Sequence, residues 1–211
     1  MIFDLDGTLL DTEPLHRAAF QAAAASLGYE VDSQFYGKLI GLATPDRTAQ
    51  LVRHFGASFP AASFVAEYYR QKQRCLDGGV MLKPGALALL DWLQRQQIPR
   101  AIATASSSRT ARRHLVRAGL EQCFAAVLTR DDVARRKPHP DLFLRAAAAL
   151  GVAWASCLVV EDSAPGIEAA HAAGMAAILV PDLAPIPPHI RMKSLAVLPD
   201  LHTVRALLAE N

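Results

Sequence analysis

The 211-residue chain has few cysteines, almost no excess charge and no long hydrophobic run. Its three cysteines, Cys75, Cys123 and Cys157, are an odd number at spacings that suit no metal-ligand motif. That excludes a disulfide scaffold and fits a reducing compartment. Lys and Arg number 22 against 20 Asp and Glu, a formal net charge of +2. No field of one sign points to nucleic acid or an acidic membrane as partner. No apolar run approaches the ~18 residues of a membrane span. The first residues are not expected to be a signal peptide, because Asp4 and Asp6 interrupt them. Internal repeats are absent, and the only biased stretches are Ala-rich helical segments and the Pro-rich run from Pro181 to Pro188. What the chain does have is a hydrophobic fraction of 52%, ample for a buried core in one domain or one domain with a large insertion. The expectation is a cytoplasmic globular protein, with monomer as the default state.

The chain opens on Met1-Ile2-Phe3, the tail of a short buried strand, and Asp4 to Thr8 turn out of it. So little precedes that turn that further sequence before Met1 is expected. From Lys83 onward strands and helices alternate. Pro84 opens a helix carrying Leu87, Leu90 and Leu93. Strands are expected at 100–103, 125–128, 157–160 and 177–180, with a weaker one near 195–198. Helices are expected from Ser107 to Gly119, Asp141 to Leu150 and Pro165 to Ala173, with Gly119, Gly151 and Gly174 as caps. This alternation predicts an α/β fold, a parallel sheet with helices on both faces.

The first connection breaks the rhythm. A crossover needs about a dozen residues, yet 14–82 supply 69 mostly helical ones. Leu15, Ala18, Ala19, Ala22 and Ala23 recur at helical spacing. A second helix is expected from Thr44 or Asp46 to His54, and a third after Phe59-Pro60, ending at Asp77-Gly78-Gly79. The expected organisation is a core of 1–13 and 83–211 interrupted by a helical cap over 14–82. Phe55, Phe59, Phe64, Tyr68 and Tyr69 read as the core of that cap.

Sites in open parallel sheets form beyond the carboxyl ends of the strands. Asp4 with Asp6, Thr104 with Ser106, and Glu161 with Asp162 stand at such ends, and Lys137 lies in a Pro-rich loop before a helix. If the first and 157–160 strands are neighbours, several carboxylates meet. Like charges at that range are costly unless a cation joins them. A hard, oxygen-liganded ion, Mg2+, is the natural solution. With Mg2+ and Lys137 supplying about +3, two carboxylates and a phosphoryl dianion of about −2 can share the site. Thr104, Ser106 and the backbone N–H groups at the next helix start would bind the remaining oxygens. One Asp can attack phosphorus, and the second, two residues on, can protonate the leaving oxygen and later activate water. Blander uses stand beside these. Asp-x-Asp-Gly alone is commonly a turn, and Glu161-Asp162 also suit a helix N-terminus. His139 reads as a loop residue. Arg109, Arg112, Arg113 and Arg117 read as a solvated helix face, without interleaved aromatics.

The stretch Asp4-Leu5-Asp6-Gly7-Thr8-Leu9-Leu10-Asp11-Thr12-Glu13 resembles the signature of the haloacid dehalogenase-like hydrolases. The resemblance continues at Ile102-Ala103-Thr104-Ala105-Ser106, at Lys137-Pro138-His139-Pro140-Asp141-Leu142-Phe143 and from Val159 to Ala170. All four signatures stand in family order. The resemblance implies a Rossmann-like parallel-sheet core with an inserted all-helical, four-helix cap, as in the phosphoglycolate phosphatase and β-phosphoglucomutase branch. It implies Asp4 as nucleophile and Mg2+ ligand, and Asp6 as general acid–base lending its carbonyl to the metal. Thr104 would bind the phosphoryl group, Lys137 would screen nucleophile and phosphate, and Asp162 would ligate the metal with Glu161 as a second carboxylate. Asp6 argues against dehalogenation, because dehalogenases of the family lack this acid and the metal. Arg136 stands where glycine is common before the motif lysine.

The implied activity is a Mg2+-dependent phosphatase acting on a small phosphorylated metabolite, a sugar or organic acid phosphate. Ser106, His16, Lys38 and Arg47 are the candidate substrate contacts. The alternative is a phosphosugar mutase. His16 matches a mutase histidine, but Ile40 and Thr44 stand where the mutase clamp around the Gly41 position has Lys and Arg, with Lys38 and Arg47 nearby. A third reading is an idle binding protein of the same fold.

Overall fold

The computed structural model describes every residue except Gly41, Ala43, Gly78 and Asn211, and it leaves out the side chains of Thr44, Leu76 and Asp77. The comparison centred on Gly41 and the expected stop at Gly78 therefore lie outside the described residues. In chain order the elements are β1 (Ile2–Phe3), β2 (Leu10–Asp11), α1 (Glu13–Ser26), α2 (Ser33–Gly37), α3 (Thr44–Phe55) and α4 (Ala61–Asp77). After them come β3 (Met81–Leu82), α5 (Ala86–Arg95), β4 (Ala101–Ala103), α6 (Ser108–Ala118), β5 (Ala126–Leu128) and α7 (Asp141–Leu150). The chain ends with β6 (Leu158–Glu161), α8 (Ala164–Ala172), β7 (Ala176–Leu179), α9 (Pro188–Arg191), β8 (Ala196–Val197) and α10 (Leu201–Ala209). It divides into two compact units, Met1–Asp11 with the residues from Val80 on, and Thr12–Gly79.

The first unit is an α/β, Rossmann-like core. Six strands form one sheet in the order β5-β4-β1-β6-β7-β8, every neighbouring pair parallel. The side-chain period of two splits each strand between two cores. Ile2, Ala101, Ala103, Val159, Ala177 and Leu179 face one side, where Leu142, Phe143 and Ala146 of α7 and Ile167 and Ala170 of α8 cover them. Phe3, Ile102, Val160 and Ile178 face the other, against Leu89, Leu90 and Leu93 of α5, Leu115 of α6 and Leu201 and Val204 of α10. Because both faces are buried, the strands read as continuous apolar runs rather than alternating ones. Cys157 sits one residue before β6, buried, and burial pushes its thiol pKa up, which makes it an unreactive thiol.

The core unit also contains an element that the sequence does not signal. Leu10 pairs with Leu82 and Asp11 with Met81, an antiparallel ribbon of β2 and β3. Both strands are two residues long, too short to show any period. The ribbon draws Val80 to Leu82 into the core unit, so the helical unit ends at Gly79 and not at the expected Leu82. Lys83 ties the ribbon down, reaching Asp182 at 2.6 Å and Asp11 at 3.4 Å.

The second unit consists of α1 to α4. Its centre is Phe20, whose ring meets Phe64 at 4.8 Å, Tyr36 at 5.3 Å and Tyr68 at 5.7 Å, all edge to face. Ala19, Ala23 and Ala24 give α1 a flat buried face, and Leu51 and Phe59 close the cluster. Tyr69 departs from the expected core and is about half exposed. Among the described residues no helix is long and apolar enough to cross a membrane.

Candidate active site

The sheet order places β1 between β4 and β6, so the turns that follow these three strands leave the sheet side by side. The chain runs outward from β1 through β4 and β5, then returns to β6 on the other side. That reversal opens the crevice where ligands bind in such sheets. Asp4 follows β1, Thr104 follows β4, and Glu161 ends β6 with Asp162 next to it. The Asp4 N–H donates to the Val160 carbonyl at 3.0 Å, which extends the β1–β6 pairing to the acid itself.

Lys137 reaches in from the loop before α7. Its ammonium donates to Asp4 Oδ1 and Glu161 Oε1, each at 2.6 Å, and lies 4.8 Å from the centre of the Phe143 ring. Burial works against a charged lysine, but Asp4 and Glu161 outweigh it and raise the Lys137 pKa above its ordinary value. Burial likewise pushes Asp4 up, to about 7; Lys137 opposes the shift, and the Glu161 and Asp6 charges add to it. Asp162 is pushed well above the carboxylate range by burial, Glu161 and Asp4, although Thr8 Oγ1 donates to its Oδ1 at 2.8 Å. Asp162 fits its place because Gly7 has no side chain. At a φ of +91°, a Cβ there would come within 2.5 Å of Asp162 Oδ2.

Asp6 is held from the neighbouring strand end. Ser106 Oγ donates to Asp6 Oδ2 at 2.6 Å, and His114 Nδ1 of α6 approaches Asp6 Oδ1 to 2.8 Å. Thr104 is buried, and its Oγ1 accepts from the Ser106 N–H at 3.0 Å. Ser107 caps α6, its side chain accepting from Thr110 N, so the Thr104–Ser106 turn runs straight into a helix N-terminus.

Glu161 is held from two sides. It is fully buried, and both its oxygens are engaged: Oε1 by Lys137, Oε2 by Ser163 N at 2.7 Å and Ser163 Oγ at 2.8 Å. Its carboxylate lies over Gly166, where any Cβ would overlap it. These bonds tie Glu161 to the lysine and to the start of α8. Gly166→Ala should therefore cost about 1–3 kcal/mol of stability, the scale of overpacking a filled site. A chemical-denaturation midpoint for the variant reads this directly, and it should fall.

The helical unit holds the remaining candidates. His16 is on α1, with Nδ1 4.0 Å from Glu13 Oε2, and Tyr36 donates to Glu13 Oε1 at 2.6 Å. Arg47 of α3 donates to the Leu42 carbonyl at 3.1 Å and lies 5.9 Å from the Phe20 ring centre. Lys38 caps α2 and lines a surface concavity of about 320 Å³ with Asp32, Phe35 and His54. Sequence reasoning missed Thr8, Ser163 and His114. His114 did carry a signal, since it falls with Ala111 and Leu115 on the apolar stripe of α6, at a spacing that faces a core.

Among the described residues no group of three or more His, Cys, Asp or Glu side chains forms a metal cage. The donor chemistry nonetheless fits a hard divalent cation. Asp4 and Glu161 are buried and Asp162 is half-buried, and among the described residues the cation bonded to these acids is Lys137, so negative charge is in excess where burial makes it costly. Two carboxylates with a main-chain oxygen suit Mg2+, which keeps several of its waters.

Residues 1–180 match the family model for haloacid dehalogenase-like hydrolases. Over 178 residues the chain is 35% identical to fructose-1-phosphate phosphatase YqaB of Escherichia coli, an overlap of 84% of this chain and 94% of that one. It is 37% identical over 185 residues to hexitol phosphatase A of the same organism, covering 85% and 81% of the two chains. A crystal structure of a putative beta-phosphoglucomutase from Thermotoga maritima matches with a TM-score of 0.85 at 26% identity, over 99% of this chain and 97% of that one. A parallel sheet with an acid-lined crevice at its carboxyl edge defines an α/β protein with a candidate active site at the switch point of the sheet. The chain belongs to the haloacid dehalogenase-like hydrolase family and is a phosphoric monoester hydrolase.

Proposed function

We propose that the chain is a Mg2+-dependent phosphatase that hydrolyses a small phosphorylated metabolite through an aspartyl-phosphate on Asp4. The observation that carries the reading is the Lys137 bridge between Asp4 and Glu161 beside Asp162. Asp4, Asp162 and the Asp6 main-chain carbonyl would hold the metal, which when bound neutralises charge on the transferring phosphoryl oxygens. Glu161 is assigned to holding Lys137 rather than to the metal.

Lys137 grips Asp4 Oδ1, which leaves Oδ2 as the attacking oxygen. A bond forms from Oδ2 to phosphorus as the ester P–O bond breaks, and Asp6, as the acid, gives its proton to the departing alcohol. Asp6 then takes a proton from water whose oxygen attacks phosphorus. The P–Oδ2 bond breaks, and Asp4 and inorganic phosphate are released. Thr104, Ser106 and the α6 N-terminus bind the other phosphoryl oxygens. The unit of α1 to α4 acts as a cap that excludes water and carries specificity, with His16, Lys38 and Arg47 as its substrate contacts. The names of the two relatives support a phosphorylated carbohydrate as substrate. The free cysteines support a cytoplasmic setting.

A panel of sugar, polyol and organic acid phosphates assayed with Mg2+ tests the reading. At least one should release phosphate, and EDTA should silence that release until Mg2+ is restored. Turnover that survives exhaustive chelation would contradict the metal role. The likeness to a putative beta-phosphoglucomutase supports a second reading as a phosphosugar mutase. A hexose 1-phosphate with a bisphosphate primer separates the two, because a mutase yields the 6-phosphate without free phosphate.

A further inference from the structure

Helix α6 turns Arg109 and Arg112 outward and buries Ala111, His114 and Leu115. Ala111 and Leu115 are ordinary members of that stripe, packed in one core with Phe3, Leu5, Ile102 and Val160. An imidazole among them is not ordinary. Its nitrogens lose water on burial, which costs free energy unless a polar group meets them. His114 is fully buried, and its Nδ1 lies 2.8 Å from Asp6 Oδ1. The opposite oxygen, Oδ2, accepts from Ser106 Oγ at 2.6 Å. One turn-and-helix segment thus brings a group to each oxygen of the Asp6 carboxylate: Ser106 by a hydrogen bond, and His114 by a close Nδ1 contact that is not aligned as one.

We propose that His114 is a positioning residue for Asp6, fixing the orientation of its carboxyl group for proton transfer. The inference rests on the reading of Asp6 as general acid–base. A side chain needed only to fill space on this stripe could be any apolar residue of similar volume. A contact through Nδ1 is what leucine cannot supply. Asparagine can place an amide N–H near the Nδ1 position, whereas glutamine places one nearer Nε2.

The test compares two esters by kcat/KM. An alkyl ester, the panel's best sugar phosphate, needs a proton on its leaving oxygen. p-Nitrophenyl phosphate does not, because nitrophenolate departs unprotonated. With the sugar phosphate, His114→Leu should lower kcat/KM about tenfold to a hundredfold, within the range that general acid–base catalysis contributes. With p-nitrophenyl phosphate the same variant should stay within about threefold of wild type. His114→Asn should recover most of the loss on the sugar phosphate, and His114→Gln should not. If His114→Leu fails to fold, the Asn and Gln pair carries the comparison alone. Equal losses on both esters, or equal losses in Asn and Gln, would make His114 a packing residue and overturn the proposal. Full activity of His114→Leu on the sugar phosphate would overturn it as well. A wild type inactive on both esters would instead remove the assigned function, and this proposal with it.

Discussion

Asp4→Asn should fold as well as the wild type and lose phosphatase activity by about a thousandfold or more, the scale of removing a nucleophile that acts within a catalytic set. The two halves of that result have separate causes. Asn keeps an oxygen at the Oδ1 position, so Lys137 retains an acceptor for its 2.6 Å bond. It also removes one charge from a buried group already raised to about 7 by burial and by the Glu161 and Asp6 charges. Thermal unfolding should therefore show a midpoint no lower than wild type. The lost oxygen is the one that would bond to phosphorus, and an amide does not replace it. A variant that folds normally and keeps more than a few per cent of wild-type turnover would contradict the assigned nucleophile.

Lys137→Met should give the opposite pattern, losing stability and activity together. The lysine side chain is almost wholly buried and is the cation between Asp4 and Glu161. Methionine matches much of its length but leaves both carboxylates uncompensated beside Asp162. Removing one partner of a buried ion pair costs about 3–5 kcal/mol, because the remaining charge stays out of water. The double variant Lys137→Met with Glu161→Gln separates this cause from simple loss of packing. Gln removes one of the stranded charges, so denaturation should show a more stable protein than Lys137→Met alone. A double variant as unstable as the single one would show that Lys137 acts through packing. Activity should be lost in both, since neither presents a cation to Asp4 and the phosphoryl group.

The sheet was legible because its strands are buried on both faces. Ala101–Ala103 and Leu158–Glu161 read as apolar runs bounded by polar turns, and the helices between them carry glycine stops at Gly119 and Gly151, both left-handed as helix ends favour. Elements without that contrast were not legible. The β2–β3 ribbon has two residues a side, α2 has five, and α10 follows an edge strand of only two residues, although Asp200 caps it. At the site, the acids stood out because polar groups ended apolar strands. Their orientations did not, because orientation is set by packing. Glu161 points to Lys137 and Ser163 because Gly166 leaves room beneath it, and nothing in the Glu161-Asp162 pair announces this. His114 was passed over for a related reason. A histidine on an apolar stripe is usually a core residue, and only the fold brings Asp6, 108 positions earlier in the chain, to within 2.8 Å of it.

Chemical capture of the intermediate tests the central claim most directly. The enzyme would be mixed with its best phosphate ester and Mg2+, quenched during turnover, reduced with borohydride and digested for peptide sequencing by mass spectrometry. An acyl phosphate on Asp4 is reduced to homoserine, so homoserine should appear at position 4 and at no other acidic position, and only when substrate is present. Active enzyme that yields intact Asp4 throughout, or homoserine at Asp6 or Asp162 instead, would contradict the mechanism.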